Sequence, residues 1–314
     1  MRIVYMGTPE IAAVILKRLL QGEDEIVLCV TQPDRPAGRG KKLTPSPVKE
    51  TALQAGIPVF QPEKIREPEN VAVIREAQPD IVIVAAFGQI LPKELLEIPP
   101  LGCINVHASL LPKYRGAAPI QWAILDGEKE TGVTIMYMAE GLDTGDMLYR
   151  KSIPIADNET GGSLHDKLAL LGADALTEAL PLIKNGTAER IPQGEALTPY
   201  AKQLRKEMGL LDFTKPAEEL QRRIRAFYPW PGTFTSYQGK QLKILEASVR
   251  ESREAAAAGT VLSVEKDGFS VKTGNGALFV TGVQLAGKQP MKAGDFLRGF
   301  RLTAGTVLGE AGEQ

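Results

Sequence analysis

Asn105 and His107 stand two residues apart in the apolar run at residues 103–108. An extended strand sends alternate side chains to opposite faces, so the amide and the imidazole share one face and can converge on a single atom. Asp143 lies in Gly-Leu-Asp-Thr-Gly-Asp, after a further apolar run at residues 133–138. A carboxylate at that strand end could hold His107 protonated and relay a proton. The same residues also permit plainer roles, a structural strand histidine and an aspartate that caps a turn or helix. The second of the two histidines, His165, falls on a polar helical segment opening near Ser163, where an exposed helical role is the default.

Other chemistries find little support. After the first apolar run the chain reads Met6-Gly-Thr-Pro-Glu, and the next glycine is Gly22, so the glycine-rich turn of a dinucleotide site is missing. No phosphate-cradling G-x-x-x-x-G-K-[ST] run occurs. One strand histidine and scattered carboxylates do not close a coordination sphere, and no metal site is expected. Cys29 and Cys103 both sit in apolar strand-like runs and read as buried thiols of a reducing compartment.

The elements that must position these residues alternate between strand and helix. Apolar runs at residues 2–6, 25–31, 57–60, 80–87, 103–108 and 133–138 have helical patterns between most of them. Continuous Val/Ile runs suit parallel strands buried on both faces, which predicts an α/β, doubly wound, mostly parallel Rossmann-like sheet with ligands at the strands' carboxyl ends. Thr8 and Pro9 read as an N-cap and first-turn proline for a helix over residues 11–20.

The texture changes near residue 187. Residues 194–209 are polar and basic without apolar period, and read as a linker or a loosely packed helix. Beyond them a helical segment at 216–226 precedes short alternating runs broken by Tyr237-Gln-Gly-Lys, Lys266-Asp-Gly and Gly274-Asn-Gly, which are hairpin signals. The expected organisation is a domain at 1–187, a linker at 188–206 and a small OB-like β-barrel at 207–314. Residues 1–189 carry 19 Lys and Arg against 25 Asp and Glu, whereas residues 190–314 carry 18 against 13. An acidic first part and a basic second part are compatible with a nucleic-acid partner. The longest unbroken apolar run, residues 81–87, is far short of a membrane span, and no charged leader with an apolar core opens the chain. A cytoplasmic, monomeric protein is expected.

Asn105-x-His107 running into Ser109-Leu-Leu-Pro-x-x-Arg-Gly, with Gly141-Leu-Asp143-Thr-Gly downstream, resembles the folate-dependent formyltransferase family. Residues 31–42 and Arg-Ala-Phe-Tyr-Pro-Trp-Pro-Gly at 225–232 look like the branch of that family that formylates methionyl-tRNA, and the resemblance runs nearly end to end. It implies 10-formyltetrahydrofolate as donor and initiator methionyl-tRNA as acceptor, in translation initiation. It also implies Asn105, His107 and Asp143 as the catalytic set, and Ser109, Leu110, Leu111 and Pro112 along the folate site. Part of the pterin pocket would come from the loops after Phe87, including Gly88, and before Asp143. The C-terminal barrel would hold tRNA, with Arg222, Arg223 and Arg225 on one short helix. The segment 34–49 carries Arg35, Arg39, Lys41, Lys42 and Lys49 against Asp34, broken by glycines and prolines. It is expected to order on tRNA, with Arg39, Lys41 and Lys42 meeting phosphates. Three rivals share part of this pattern. They are transfer to a small amine such as glycinamide ribonucleotide, hydrolysis of the formyl-folate, and RNA binding without catalysis.

Overall fold

The computed structural model describes residues 1–37 and 42–309, with Ala37 and Lys42 described by their backbone only. The chain forms two compact units. The first comprises Met1–Pro119, Glu130–Pro154 and His165–Ala201, and the second comprises Ile120–Lys129, Ile155–Leu164 and the chain from Lys202 onward.

In the first unit, β1 (Arg2–Gly7), α1 (Glu10–Leu19) and β2 (Glu25–Val30) follow one another, then a short hairpin of β3 (Arg35–Ala37) and β4 (Lys42–Thr44). Next come α2 (Pro47–Gln54), β5 (Val59–Phe60), α3 (Pro68–Glu76), β6 (Ile81–Ala85), α4 (Lys93–Leu96) and β7 (Cys103–His107). After α5 (Pro119–Leu125), strands β8 (Glu130–Tyr137) and β9 (Met147–Pro154) lead to α6 (Gly161–Lys184). The seven-stranded sheet has the order β5-β2-β1-β6-β7-β8-β9. It is doubly wound, and the order reverses beside β1, which places a crevice beyond the carboxyl ends of β1 and β6. Val4, Met6, Val30, Val82 and Val84 from the central strands share a core with Ile74, Phe87 and Leu95. Helix α1 buries Ala12, Ala13, Ile15, Leu16 and Leu19, the spacing of one apolar stripe.

The sheet is mostly parallel, and within it strand β8 runs antiparallel to both β7 and β9, while the cap expected at Thr8 needs correction. An apolar run buried on both faces reads the same in either direction, so periodicity carries no orientation. Helix α1 takes Pro9 as its N-cap residue with no side-chain cap. The Thr8 hydroxyl instead donates to the Phe87 carbonyl at 3.1 Å and so ties the end of β1 to the loop after β6.

The second unit continues through a 3-10 turn at Lys206–Gly209, α7 (Ala217–Ala226), β10 (Thr233–Tyr237), β11 (Lys240–Arg250), β12 (Val261–Val264), β13 (Phe269–Lys272), β14 (Ala277–Leu285), β15 (Met291–Lys292) and α8 (Ala293–Gly299). The three hairpin signals fall between β10 and β11, β12 and β13, and β13 and β14. At the first, Gln238 and Gly239 take φ of 49° and 71°, the two left-handed residues a tight hairpin turn demands. The sheet is antiparallel, in the order β10-β11-β14-β13-β12 with β15 on β14. No pairing joins β10 to β12 among the described residues, so the expected barrel is seen as an antiparallel sheet without closure between those edges. Its apolar face packs Leu220 and Ile224 of α7 and Phe296 of α8 against Leu242, Ile244, Phe269, Val271 and Leu278. No helix among the described residues is long and apolar enough to cross a membrane.

Candidate active site

Asn105 and His107 emerge from the same face of β7, as their alternation requires. Asp143 reaches them by an unexpected route. Because Ile104 of β7 is paired with Tyr137 of β8 and His107 with Thr134, β8 ends beside the start of β7. The loop 138–146 must therefore fold back over the sheet face to bring Asp143 to the histidine. There Asp143 Oδ2 lies 3.7 Å from His107 Nδ1, and Asn105 Nδ2 donates to Asp143 Oδ1 at 3.5 Å. The Gly116 N–H donates to Asp143 Oδ2 at 2.8 Å. Asp143 itself has φ of 53°, in the left-handed region that aspartate tolerates better than most side chains.

His107 is buried, and its Nε2 lies 3.0 Å from the Tyr114 carbonyl. A carbonyl only accepts, so Nε2 carries a proton and Nδ1 faces Asp143. The site thus presents an amide donor and an imidazole whose Nδ1 faces a carboxylate. Such a group can stabilise an oxyanion and move a proton.

The main chain after His107 is fixed by an internal bracket. The Thr134 hydroxyl donates to the Ser109 carbonyl at 2.7 Å and accepts from the Leu111 N–H at 3.1 Å, and the Ser109 hydroxyl donates to the Lys113 carbonyl at 2.7 Å. Ser109 and Leu111 are buried, Leu111 against Met136 and Met147, while Leu110 and Pro112 are half-buried. Ser109 and Leu111 therefore hold the backbone, and Leu110 and Pro112 keep side-chain surface. Phe87 is likewise a core residue, and its carbonyl accepts from both Thr8 Oγ1 and Gln32 Nε2. Gly88 beside it is exposed with φ of 83°, at the crevice where the strand order reverses. A backbone without Cβ at that place leaves room for a flat ligand to approach.

The basic residues are placed differently. Arg39 and Lys41 lie outside the described residues, as does the side chain of Lys42. Lys49 sits on α2, which opens at Ser46 with a side-chain cap on the Lys49 N–H, and its ammonium pairs with Asp34 at 2.7 Å. On α7, Arg222 Nε donates to the Leu125 carbonyl at 2.9 Å, Arg223 Nη1 to the Met208 carbonyl at 3.2 Å and Arg225 Nη1 to the Glu159 carbonyl at 2.8 Å. All three are half-buried, and burial pulls the Arg225 pKa below the ordinary arginine value. These bonds lie within the second unit and brace its main chain. Arg222 and Arg225 also line a cavity of about 400 Å³ in that unit, with Lys129, Glu128, Asp157 and Glu218.

Two residues at the site escaped the sequence reading in function. Arg115 was visible only as the arginine of Pro-x-x-Arg-Gly, and Gln193 falls in the stretch 188–206 expected as a linker. Arg115 Nε donates to Gln193 Oε1 at 2.9 Å, and Gln193 Nε2 donates to the carbonyls of Asp143 and Gly145 at 2.9 and 2.7 Å. The stretch read as linker is pinned here as well. Tyr114 N–H donates to Thr198 Oγ1 at 2.7 Å, and Ala201 exchanges main-chain bonds with Arg115 and Ala117 at 2.7 and 2.8 Å.

Residues 1–180 match the formyl transferase family model, and residues 203–301 match that of the formyl transferase C-terminal domain. The methionyl-tRNA formyltransferase of Geobacter metallireducens is 51% identical over 307 residues, covering 98% of each chain. Among solved structures, WlaRD, a sugar 3N-formyl transferase crystallised with dTDP and 5-N-formyl-THF, superposes with a TM-score of 0.65 at 21% identity over 92% of this chain and 99% of that one. HypX from Aquifex aeolicus, in complex with tetrahydrofolic acid, gives 0.63 at 19% identity over 95% of this chain. The chain spans about half the length of HypX, 47%. These last two likenesses speak for the fold.

Proposed function

The chain belongs to the formyl transferase family, and from that membership we propose that it transfers the formyl group of 10-formyltetrahydrofolate to the α-amino group of initiator methionyl-tRNA, in the cytoplasm and as a monomer. The observation that carries the acceptor is the end-to-end match, at 51% identity and with the second unit included, to a methionyl-tRNA formyltransferase. Transfer to a small amine such as glycinamide ribonucleotide would use the same three side chains but leave the second unit and the basic segment without a purpose.

The neutral amine adds to the formyl carbon, and the carbonyl electron pair moves to oxygen. Asn105 Nδ2 and a protonated His107 Nδ1 supply donors for that oxyanion, and Asp143 holds the imidazolium beside it. The amine then gives up a proton, which Asp143 takes directly or through water. The oxyanion's electron pair then returns to re-form the carbonyl, the carbon–nitrogen bond to the folate breaks, and the proton taken from the amine passes to the leaving nitrogen as tetrahydrofolate departs. No step requires a metal. Among the described residues, no group of three or more His, Cys, Asp or Glu is placed to hold one.

Gly88, Leu110 and Pro112 offer the surface for the folate, while Ser109, Leu111 and Phe87 fix the backbone that lines it. Arg39, Lys41 and Lys42 are the phosphate-binding residues of the basic segment. Arg222, Arg223 and Arg225 support the tRNA-binding unit, their main-chain bonds leaving part of each guanidinium for an anion. The direct test is alkaline release of the amino acid after incubation with the folate donor and methionyl-tRNA. N-formylmethionine is expected. Free methionine with stoichiometric formate would assign hydrolysis instead.

A further inference from the structure

Asp143 must hold a left-handed backbone in a loop whose residues 139–142 are exposed. For a residue with a Cβ that conformation is disfavoured, and it persists where the surroundings impose it. The bonds that impose it close into a ring. Gln193 Nε2 gives one proton to the Asp143 carbonyl at 2.9 Å and the other to the Gly145 carbonyl at 2.7 Å, clamping the main chain on both sides of Thr144. Gln193 Oε1 accepts from Arg115 Nε at 2.9 Å, and Arg115 Nη2 donates to the Gly194 carbonyl at 3.0 Å, so the glutamine is fixed by its own neighbour as well. Arg115 in turn lies between the two residues whose main chain addresses the catalytic pair. The Tyr114 carbonyl accepts from His107 Nε2, and the Gly116 N–H donates to Asp143 Oδ2 at 2.8 Å.

We propose that Gln193, fixed by Arg115, is a positioning residue that sets the backbone of Asp143 and thereby the placement of its carboxylate against His107 Nδ1 and Asn105. This rests on the reading of Asn105, His107 and Asp143 as the catalytic set. Both Gln193 and Arg115 are buried, at 9% and 8% exposure, so neither is free to exchange these partners for water. The chemistry of the position demands an amide. Two carbonyls need two donors, and the guanidinium needs an acceptor; glutamate supplies only the acceptor, and lysine only donors. A displacement of the carboxylate by about 1 Å is enough to lower turnover by about a hundredfold.

The test uses the full chain with Gln193→Ala, Gln193→Glu, Asp143→Asn and the double variant Gln193→Ala/Asp143→Asn. The first readout does not depend on turnover. With two histidines in the chain, the ring ¹H–¹⁵N signals of His107 and His165 are separable. The signals of His107 should move in both Gln193 variants, while those of His165 stay. The second readout is formyl transfer, where Gln193→Ala should lower kcat by about tenfold to a hundredfold and leave the KM for the folate donor within about twofold. The double variant should be no slower than Asp143→Asn alone, because a residue acting through Asp143 has nothing left to act on. Should Gln193→Ala fail to fold, Gln193→Glu carries the test, since it keeps the bond to Arg115 and loses both donations. Unmoved His107 signals, or losses that multiply in the double variant, would overturn the proposal and leave Gln193 a stabilising residue. If wild-type protein formylates no tRNA, the functional reading falls, while the His107 signals still decide what Gln193 does.

Discussion

Replacing Asp143 with asparagine removes the carboxylate's charge and one of its two acceptor oxygens while keeping the side chain's shape. Asparagine tolerates the left-handed backbone that the residue adopts, at φ of 53°, and its side-chain oxygen can still accept the Gly116 N–H. What disappears is a negative charge 3.7 Å from His107 Nδ1. At an effective dielectric constant of about 20, two unit charges at that separation attract by about 4.5 kcal/mol, a ceiling on what the pair contributes to an imidazolium. Only the part absent from the ground state affects turnover. The loss of one such group typically costs about 2.7–4 kcal/mol of transition-state stabilisation, or two to three orders of magnitude in kcat. The assay is steady-state transfer of labelled formyl from saturating folate donor to saturating charged initiator tRNA, with donor binding measured separately by fluorescence. Asn105→Ala and His107→Ala should lose kcat on the same scale with donor affinity nearly unchanged, since each donor meets charge that develops only in the transition state. An Asp143→Asn enzyme turning over within about threefold of wild type would refute the assignment, because that is under 1 kcal/mol where several are required.

Three further outcomes follow from the same geometry. Burial pushes the Cys29 and Cys103 thiols up to about 12, so a chromogenic disulfide reagent at pH 8 should titrate neither in the folded protein and both after unfolding. The neutral thiols favour the folded state below the ordinary thiol pKa. Between about pH 9 and about 12 that contribution should disappear at roughly 1.4 kcal/mol per pH unit for each thiol, read as a falling denaturation midpoint. Gly132→Ala would drive a methyl group into the Lys151 carbonyl oxygen across β8 and β9 and to 2.7 Å from Leu110 Cδ2. It should cost roughly 1–3 kcal/mol, seen as a lower melting temperature, and weaken folate binding through Leu110. Alanine at Arg39, Lys41 and Lys42 together should lower kcat/KM for charged tRNA and flatten its log–log salt dependence by roughly one unit for each phosphate no longer neutralised, with folate binding untouched. An unchanged salt slope would remove that segment from the interface.

The legibility of this molecule in its sequence follows the range of the forces involved. Asn105 and His107 were readable because period-two alternation is local, and the hairpin at Tyr237-Gln-Gly-Lys because its turn residues need φ above zero. The doubly wound order was readable from apolar runs alternating with helical patterns. The reversal of β8 was not, and with it the path by which Asp143 returns over the sheet face, since pairing direction is decided between strands and not within one. Strand β9 was also missed. Its burial alternates along Met-Leu-Tyr-Arg-Lys-Ser-Ile-Pro at an exposed edge, so it lacks the continuous apolar run that marks the other strands. Gln193 and Arg115 have no local signature at all, because a glutamine acts here through partners about fifty and seventy-eight positions away in the chain. The α7 arginines, expected to meet tRNA, also each donate to a main-chain carbonyl within the second unit, and those bonds have no local signature. Residues 120–129 and 155–164 join the second unit through tertiary packing that leaves no mark on their composition.

Delivery of a folate-borne formyl group to the amino group of charged initiator tRNA is decided by acceptor choice. A competition in which labelled 10-formyltetrahydrofolate meets the protein with charged initiator tRNA, uncharged tRNA and glycinamide ribonucleotide present together measures that choice in one reaction. Label is expected on the charged tRNA, with none on the uncharged one and little on the nucleotide or in free formate. Label appearing chiefly on the nucleotide or as formate, with charged tRNA left unmodified, would contradict the assignment of methionyl-tRNA as the acceptor.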